Sequence, residues 1–144
     1  MLTGRYFLRT GVSSVTRGYE NMRGDEVTLA EVLKENQYST GCFGKWHNGR
    51  YYPQHPNRQG FDEFVGLPVG HLGYYFDAWF LHNDEEKQSS GYTSDYFTSQ
   101  AIDFMERNND NPCLCYVSFN VPHSPFQVPE KYFSKYRQAG LDST

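Results

Sequence analysis

The feature of this sequence that most constrains its fold is a helix pattern followed directly by a strand pattern. Thr28 and Glu31 have the Thr-x-x-Glu spacing of a capping box. The apolar residues after Thr28 recur at helical spacing, which predicts a short amphipathic helix over residues 28–36. The segment from Tyr38 to Phe43 follows as a predicted strand. A helix that leads directly into a strand is typical of α/β folds.

The same succession occurs again further along the chain. We predict a second helix from about Ser94 to Asn108, capped by Thr93 or Ser94, and a last helix from about Pro129 to Tyr136. Between them, Cys113 to Phe119 is a continuous apolar run, which is typical of a strand buried on both faces. The order of these elements predicts part of a mostly parallel sheet with flanking helices, in an α/β fold.

The stretch between the two units, residues 44–91, shows no sustained periodicity. It is rich in Gly, Pro, Asn and aromatic residues, and short extended pieces are predicted only at Glu63–Val65 and Tyr74–Phe80. The acidic run Asp84-Glu85-Glu86 is predicted to be a solvated loop, and residues 1–26 are predicted to be loop as well. Long irregular stretches inside a domain are often functional.

Composition excludes some classes of function. The chain has 144 residues, with 13 basic and 17 acidic side chains and a net charge of −4. This balance argues against a nucleic-acid partner, since binding to phosphates normally needs a basic excess. No apolar run reaches the ~18–20 residues of a transmembrane segment, and no signal-peptide pattern is visible at Met1–Arg5. Cys42, Cys113 and Cys115 lack the spacing of a disulfide framework or a metal site, and are interpreted as small buried residues.

Two segments are predicted to lie at the carboxyl ends of strands, where chemistry sits in such sheets. The first is Gly44–Gly49. If the extended backbone continues through it, Lys45 and His47 project together while Trp46 turns into the core. A lysine beside a histidine suits an oxyanion such as sulfate or phosphate, because one binds the charge and the other moves a proton. The alternative is a solvated loop lysine and a structural, hydrogen-bonded histidine.

The second segment is Val121–Pro125, in which His123 sits between two prolines. Prolines hold a loop in one geometry, which suits a histidine that donates a proton to a leaving group. The alternative is a rigid turn with an incidental histidine. His55, His71 and His82 are weaker candidates. His82 and Asp84 carry side chains that ligate metals, but the sequence favours a surface loop here because it implies no third ligand.

Six motifs follow one another through most of the chain: Leu2-Thr3-Gly4-Arg5 with Arg9-Thr10-Gly11-Val12, the helix Thr28 to Lys34 with Tyr38 and Thr40, Gly44-Lys45-Trp46-His47-Asn48-Gly49, Gly60-Phe61-Asp62-Glu63-Phe64, Ala101-Ile102-Asp103-Phe104, and Ser118 to Pro125. The first is similar to the end of the signature C/S-x-P-S-R-x-x-x-L-T-G-R, and the third to G-K-W-H-x-G. In the content and order of these motifs, the sequence resembles the sulfatase family, within the alkaline-phosphatase-like superfamily. The resemblance implies an alkaline-phosphatase-like sheet, which we expect to be incomplete.

The resemblance also implies roles for three residues. Sulfatases hydrolyse sulfate esters with a formylglycine hydrate, made from the signature Cys or Ser, and use calcium or magnesium. By resemblance, Lys45 binds the sulfate oxygens and offsets charge in the transition state. His47 contacts the formylglycine hydroxyl and assists proton removal. His123 binds the sulfate on its leaving-group side and protonates the departing alcohol or phenol. Lys45 and His123 are therefore the expected substrate-binding residues.

The sequence departs from the family pattern as well. The signature nucleophile with its Pro-Ser-Arg, the paired acidic metal ligands and the later Asp-Asn or Asp-Gln pair are not found in it. We therefore expect residues 1–144 to be a partial catalytic domain that supplies neither formylglycine nor metal ligands and is inactive alone. Gln37 stands where many members have Gly, so we expect a slightly strained helix end there.

The resemblance further implies a sulfate-ester small molecule or a sulfated glycan as substrate. It implies a location in the periplasm, the lysosome or outside the cell. Two alternatives remain open: a phosphoester or phosphonate hydrolase of the same superfamily, and a non-catalytic anion-binding or structural fragment.

Overall fold

In the computed structural model, which describes residues 1–141, five strands form a single sheet with helices against it. In chain order the elements are α1 (Leu29–Glu35), β1 (Ser39–Lys45), β2 (Glu63–Leu67), β3 (Trp79–His82), β4 (Glu85–Gln88), α2 (Thr93–Arg107), β5 (Cys113–Ser118) and α3 (Glu130–Gln138). Two short 3₁₀ turns lie at Phe7–Thr10 and Pro56–Arg58.

The strand order across the sheet is β4-β3-β2-β1-β5. β1 lies between β2 and β5 and runs parallel to both. β3 pairs with β2 in antiparallel orientation, and β4 pairs with β3 in the same way. The predicted α/β fold with flanking helices is therefore confirmed, and its sheet is mixed, with two parallel and two antiparallel strand pairings. The antiparallel β3–β4 hairpin was not predicted.

The hairpin also corrects the prediction of a solvated loop at residues 84–86. Glu85 and Glu86 lie in β4, where they are exposed at the edge of the sheet. The turn before them depends on Asn83, which adopts a left-handed conformation with φ of 54°. Asn83 is held there because its side-chain oxygen accepts from the backbone N–H of Phe64, at 2.9 Å. An asparagine tolerates positive φ better than most residues, which makes this tight turn possible.

Helix α1 begins as predicted. The Glu31 backbone N–H donates to Thr28 Oγ1 at 3.1 Å, and the Thr28 N–H donates to Glu31 Oε2 at 2.7 Å, which completes the capping box. The helix ends at Glu35, and Gln37 follows with φ of 66°. The left-handed backbone at Gln37 agrees with the strain expected at this position.

Helix α2 matches its predicted extent but not its predicted cap. Tyr92 occupies the N-cap position and makes no side-chain capping bond. Thr93 is already helical and buried, and its N–H donates to the backbone oxygen of Tyr75 at 2.9 Å. A backbone carbonyl from another segment therefore takes the place of the predicted Thr or Ser side chain.

The core is divided between the two faces of the sheet. Neighbouring residues of one strand, such as Phe43 and Cys42, point to opposite faces. On one face, α2 packs its apolar side chains against the sheet in a cluster of Phe43, Val65, Leu67, Phe80, Phe97, Ala101 and Phe104. On the other face the cluster contains Met22, Ala30, Cys42, Trp46, Phe61 and Phe64.

The prediction that β5 is buried on both faces is wrong for the described chain. Cys113, Leu114, Cys115 and Tyr116 are half-buried, and Val117 is exposed. The reason is the position of the strand, because β5 pairs with β1 alone among the described residues and forms one edge of the sheet. The predicted last helix is present as α3, and none of its residues is buried.

Candidate active site

The three parallel strands end at the same edge of the sheet. Lys45 lies opposite Leu67 at the ends of β1 and β2, and Gly44 lies opposite Ser118 at the end of β5. The segments that follow these strands therefore meet at that edge. Two of them carry the residues predicted from the sequence, Lys45 with His47 after β1, and His123 after β5. The third segment follows β2, and the sequence did not predict that it supplies residues to the site.

The backbone around Lys45 differs in detail from the prediction. β1 ends at Lys45, and His47 has a left-handed φ of 58°, so the extended backbone does not continue through it. Trp46 turns into the core as predicted, with 3% of its surface exposed and its ring N–H donating to the Gln54 carbonyl at 3.0 Å. Lys45 and His47 are both half-buried, and the Lys45 ammonium lowers the pKa of the His47 imidazole.

The pKa of His47 is lowered from its ordinary value of 6.5. Burial is the largest cause, the Lys45 charge adds to it, and His123 acts in the same direction. The hydrogen bond to Val15 and the carboxylate of Glu20 oppose the shift without reversing it. At neutral pH His47 is therefore uncharged and able to accept a proton.

The hydrogen bond of His47 identifies its basic atom. Nε2 lies 2.9 Å from the Val15 carbonyl oxygen, which can only accept. Nε2 of the neutral ring therefore carries the proton, and Nδ1 carries the free lone pair. The ring rests against Gly70, where any side-chain carbon would overlap it.

His123 is exposed at the same edge. Its backbone N–H donates to Asn120 at 3.0 Å, and its backbone oxygen accepts from the Tyr75 hydroxyl at 3.0 Å. Its ring Nδ1 lies 2.8 Å from the Ser124 oxygen and 3.2 Å from Nδ1 of His71. The sequence alone favours His71 less than His47 and His123 as a site residue. The available signal was its position a few residues after the extended piece at Glu63–Val65, which the structure shows to be a parallel strand.

The remaining histidines lie elsewhere. His82 is in β3, not in the predicted surface loop, and its Nε2 is 3.5 Å from Glu63. The Asp84 carboxylate accepts from Tyr52 instead. His55 is buried and accepts weakly from the backbone of Asn57, which is a structural role.

Comparison with known proteins decides the family. The model of the sulfatase family matches residues 1–143, nearly the whole chain. The chain belongs to the sulfatase family. It is 34% identical over 140 residues to an uncharacterized sulfatase of Schizosaccharomyces pombe, and 32% identical over 154 residues to mouse arylsulfatase J. The aligned parts cover 83% and 94% of this chain.

A solved structure shows the same fold. The structure of Ps i-CgsB in complex with k-i-k-neocarrahexaose superposes with a TM-score of 0.82 and 26% identity, over 95% of this chain and 36% of that one. The sulfatase resemblance and the fold it implies are thus confirmed. The chain spans about a quarter of the length of the curated relatives, 25% of the yeast protein and 26% of the mouse protein.

The described residues do not fit either of the groups that the family implies. Within residues 1–141, no group of three or more His, Cys, Asp or Glu side chains could hold a metal ion. Cys42 is fully buried, and burial strongly raises the pKa of its thiol. Cys113 and Cys115 lie inside β5, near its start and away from the edge that carries the histidines.

Proposed function

We propose that this chain carries the sulfate-binding and proton-transfer part of a sulfatase active site. One observation carries the proposal: the parallel strands that end at Lys45 and Ser118 bring His47 and His123 to one edge of the sheet, where the adjacent residues Gly70 and His71 contact one histidine each. A cation and two histidines in one place are what a sulfate ester needs, since charge develops on its oxygens and on the departing oxygen as the S–O bond breaks. The alternative of two incidental histidines does not account for this convergence.

The roles follow from the surroundings of each side chain. Lys45 binds the sulfate oxygens as a point charge. His47, kept neutral by burial and by Lys45, accepts a proton at Nδ1. His123 is exposed and its ring Nε2 has no hydrogen-bond partner among residues 1–141, so this atom faces the substrate. When the ring is protonated at both nitrogens, Nε2 gives its proton to the leaving oxygen, and Nδ1 keeps its own proton.

We propose a sulfated glycan or a smaller sulfate ester as the substrate class. The support is indirect: the structurally similar Ps i-CgsB was solved with a neocarrahexaose, and mouse arylsulfatase J is a relative. None of the helices in the described residues is long and apolar enough to cross a membrane. A periplasmic, lysosomal or extracellular location stays a prediction.

Titration with inorganic sulfate tests the proposed site. We expect sulfate to shift the NMR signals of His47 and His123 in the wild-type chain, and Lys45→Ala to weaken binding by at least about tenfold, the loss of one charged contact. Lys87→Ala is the matched control, because Lys87 lies in the β3–β4 hairpin and pairs with Glu85. Equal affinity in wild type and Lys45→Ala would remove Lys45 from the anion site.

A parallel titration with inorganic phosphate addresses the phosphoester alternative. Preferential binding of sulfate supports the sulfatase proposal, and preferential binding of phosphate contradicts it. We further predict no turnover of an aryl sulfate by the purified chain, because none of its Cys or Ser residues stands in the formylglycine signature and residues 1–141 offer no metal site. Measurable hydrolysis would overturn that prediction.

A further inference from the structure

The Gly70-His71 dipeptide contacts both candidate catalytic histidines. Gly70 lies against the ring of His47, so closely that a methyl group there would overlap it. His71 lies beside His123, with ring centroids 4.8 Å apart and the two Nδ1 atoms 3.2 Å apart. The segment after β2 therefore touches the residues contributed by β1 and by β5.

Further bonds hold this segment against the His123 loop. Tyr75 is fully buried, and its hydroxyl donates to the His123 backbone oxygen at 3.0 Å. The Tyr75 backbone N–H donates to the Gln127 side-chain oxygen at 2.7 Å. Two segments more than forty residues apart in sequence are thus joined at three points, and the contact between His71 and His123 is one of them.

The hydrogen-bond roles at Nδ1 of His123 can be assigned from its neighbours. The Ser124 carbonyl oxygen, at 2.8 Å, can only accept, so Nδ1 of His123 carries a proton. Nδ1 of His71, at 3.2 Å from the same atom, must then offer its lone pair. A neutral His123 consequently has its own lone pair at Nε2, the atom that has no partner among the described residues.

We propose that His71 is a positioning residue for His123: it accepts from Nδ1–H of His123, fixes that tautomer and the ring orientation, and leaves Nε2 for the substrate. The inference rests on the proposed function only in identifying the group that contacts Nε2 as a sulfate ester. A histidine that acts in catalysis or binding commonly has its second nitrogen held in this way by a neighbouring acceptor.

Ring nitrogen NMR of the ¹⁵N-labelled chain without sulfate tests the assignment. In the wild type we expect neutral His123 to carry its proton on Nδ1. His71→Phe keeps an aromatic ring but removes the acceptor, and should shift the tautomer ratio toward Nε2–H by about fivefold, the effect of one hydrogen bond of ~1 kcal/mol. The separate variant His71→Asn retains an acceptor oxygen, so its His123 tautomer ratio should stay close to that of the wild type.

His82→Phe is the matched control, because it makes the same change at a strand residue that contacts Glu63 instead. It should leave His123 unchanged. An Nε2–H tautomer in the wild type would contradict the proposal. So would an unchanged ratio in His71→Phe, since the Ser124 carbonyl would then suffice. His71 is exposed, so its replacement removes no core packing.

Sulfate titration of the same variants separates this inference from the proposed function. If the site binds sulfate, we expect His71→Phe to weaken binding about tenfold and His71→Asn to stay close to wild type. Equal sulfate affinity in wild type and His71→Phe would contradict a positioning role. If the wild type binds no sulfate, the proposed function fails, while the tautomer ratio still decides the role of His71.

Discussion

Lys45 and His47 form the electrostatic centre of the site. Burial lowers the pKa of His47, and the Lys45 charge lowers it further. We therefore predict that Lys45→Met raises the pKa of His47 toward 6.5, because the repulsion is lost while burial remains. An NMR pH titration of the His47 ring protons measures it. Lys87→Met should have no effect, and an unchanged pKa in Lys45→Met would show that the two groups do not interact.

The same pKa has a consequence for stability. The unfolded chain binds a proton at the ordinary pKa of histidine, whereas folded His47 binds it only at lower pH. Below about pH 6.5 the unfolded state therefore takes up more protons, and the contribution of His47 to stability declines as the pH falls toward its folded pKa. This decline should be smaller in Lys45→Met.

Gly70 offers a test of close packing around His47. A side-chain carbon at Gly70 would overlap three atoms of the imidazole, which cannot move away without losing the bond to Val15. We predict that Gly70→Ala destabilises the fold by about 1–3 kcal/mol and shifts the His47 signals. Gly73→Ala is the control, since nothing lies within 4 Å of its added carbon. Equal denaturation midpoints for the two variants would contradict the prediction.

At the residue scale, only contacts between residues that are close together in the sequence could be predicted. Lys45 and His47 were found because they are two residues apart at the end of a recognisable strand. His71 was underrated because its partner, His123, lies 52 residues further along the chain. No pattern within one segment reports such a contact, which arises only when β2 and β5 are placed on either side of β1.

Among the elements, α1 was predicted closely because its start is encoded locally. Its capping box is formed by the backbone and side chains of two residues three positions apart. The β3–β4 hairpin was missed because β4 is exposed at every position and shows no apolar alternation. Its turn depends on Asn83, whose conformation is stabilised by a bond to Phe64, 19 residues away.

The end of α1 provides a prediction at this scale. Gln37 has a φ of 66°, a conformation that costs a residue with a side chain more than it costs glycine. We predict that Gln37→Gly raises the free energy of unfolding by about 0.5–1 kcal/mol, the strain relieved less the added backbone entropy. Gln37→Ala keeps the strain and should give no such gain in urea denaturation. A gain from alanine equal to that from glycine would rule out backbone strain as the cause.

For the whole molecule, the two edges of the sheet differ in chemistry. The β4 edge carries exposed Glu85, Glu86 and Lys87, and charges at an edge discourage pairing with another strand. The β5 edge is the segment Cys113–Ser118, which has no charged residue and is only half-buried. The apolar run that predicted a doubly buried strand therefore lies at an edge that the described residues leave unpaired.

This asymmetry predicts that the isolated chain self-associates through β5. We expect sedimentation velocity to show association that increases with concentration, and Val117→Lys to weaken it by roughly tenfold, because a charge at an edge strand opposes pairing. Val117 is 36% exposed, so the lysine can reach water. Ile102→Lys, at a site on α2 that is 45% exposed, adds the same charge away from the edge and should leave association unchanged. If both variants reduce association equally, net charge and not the β5 edge controls it.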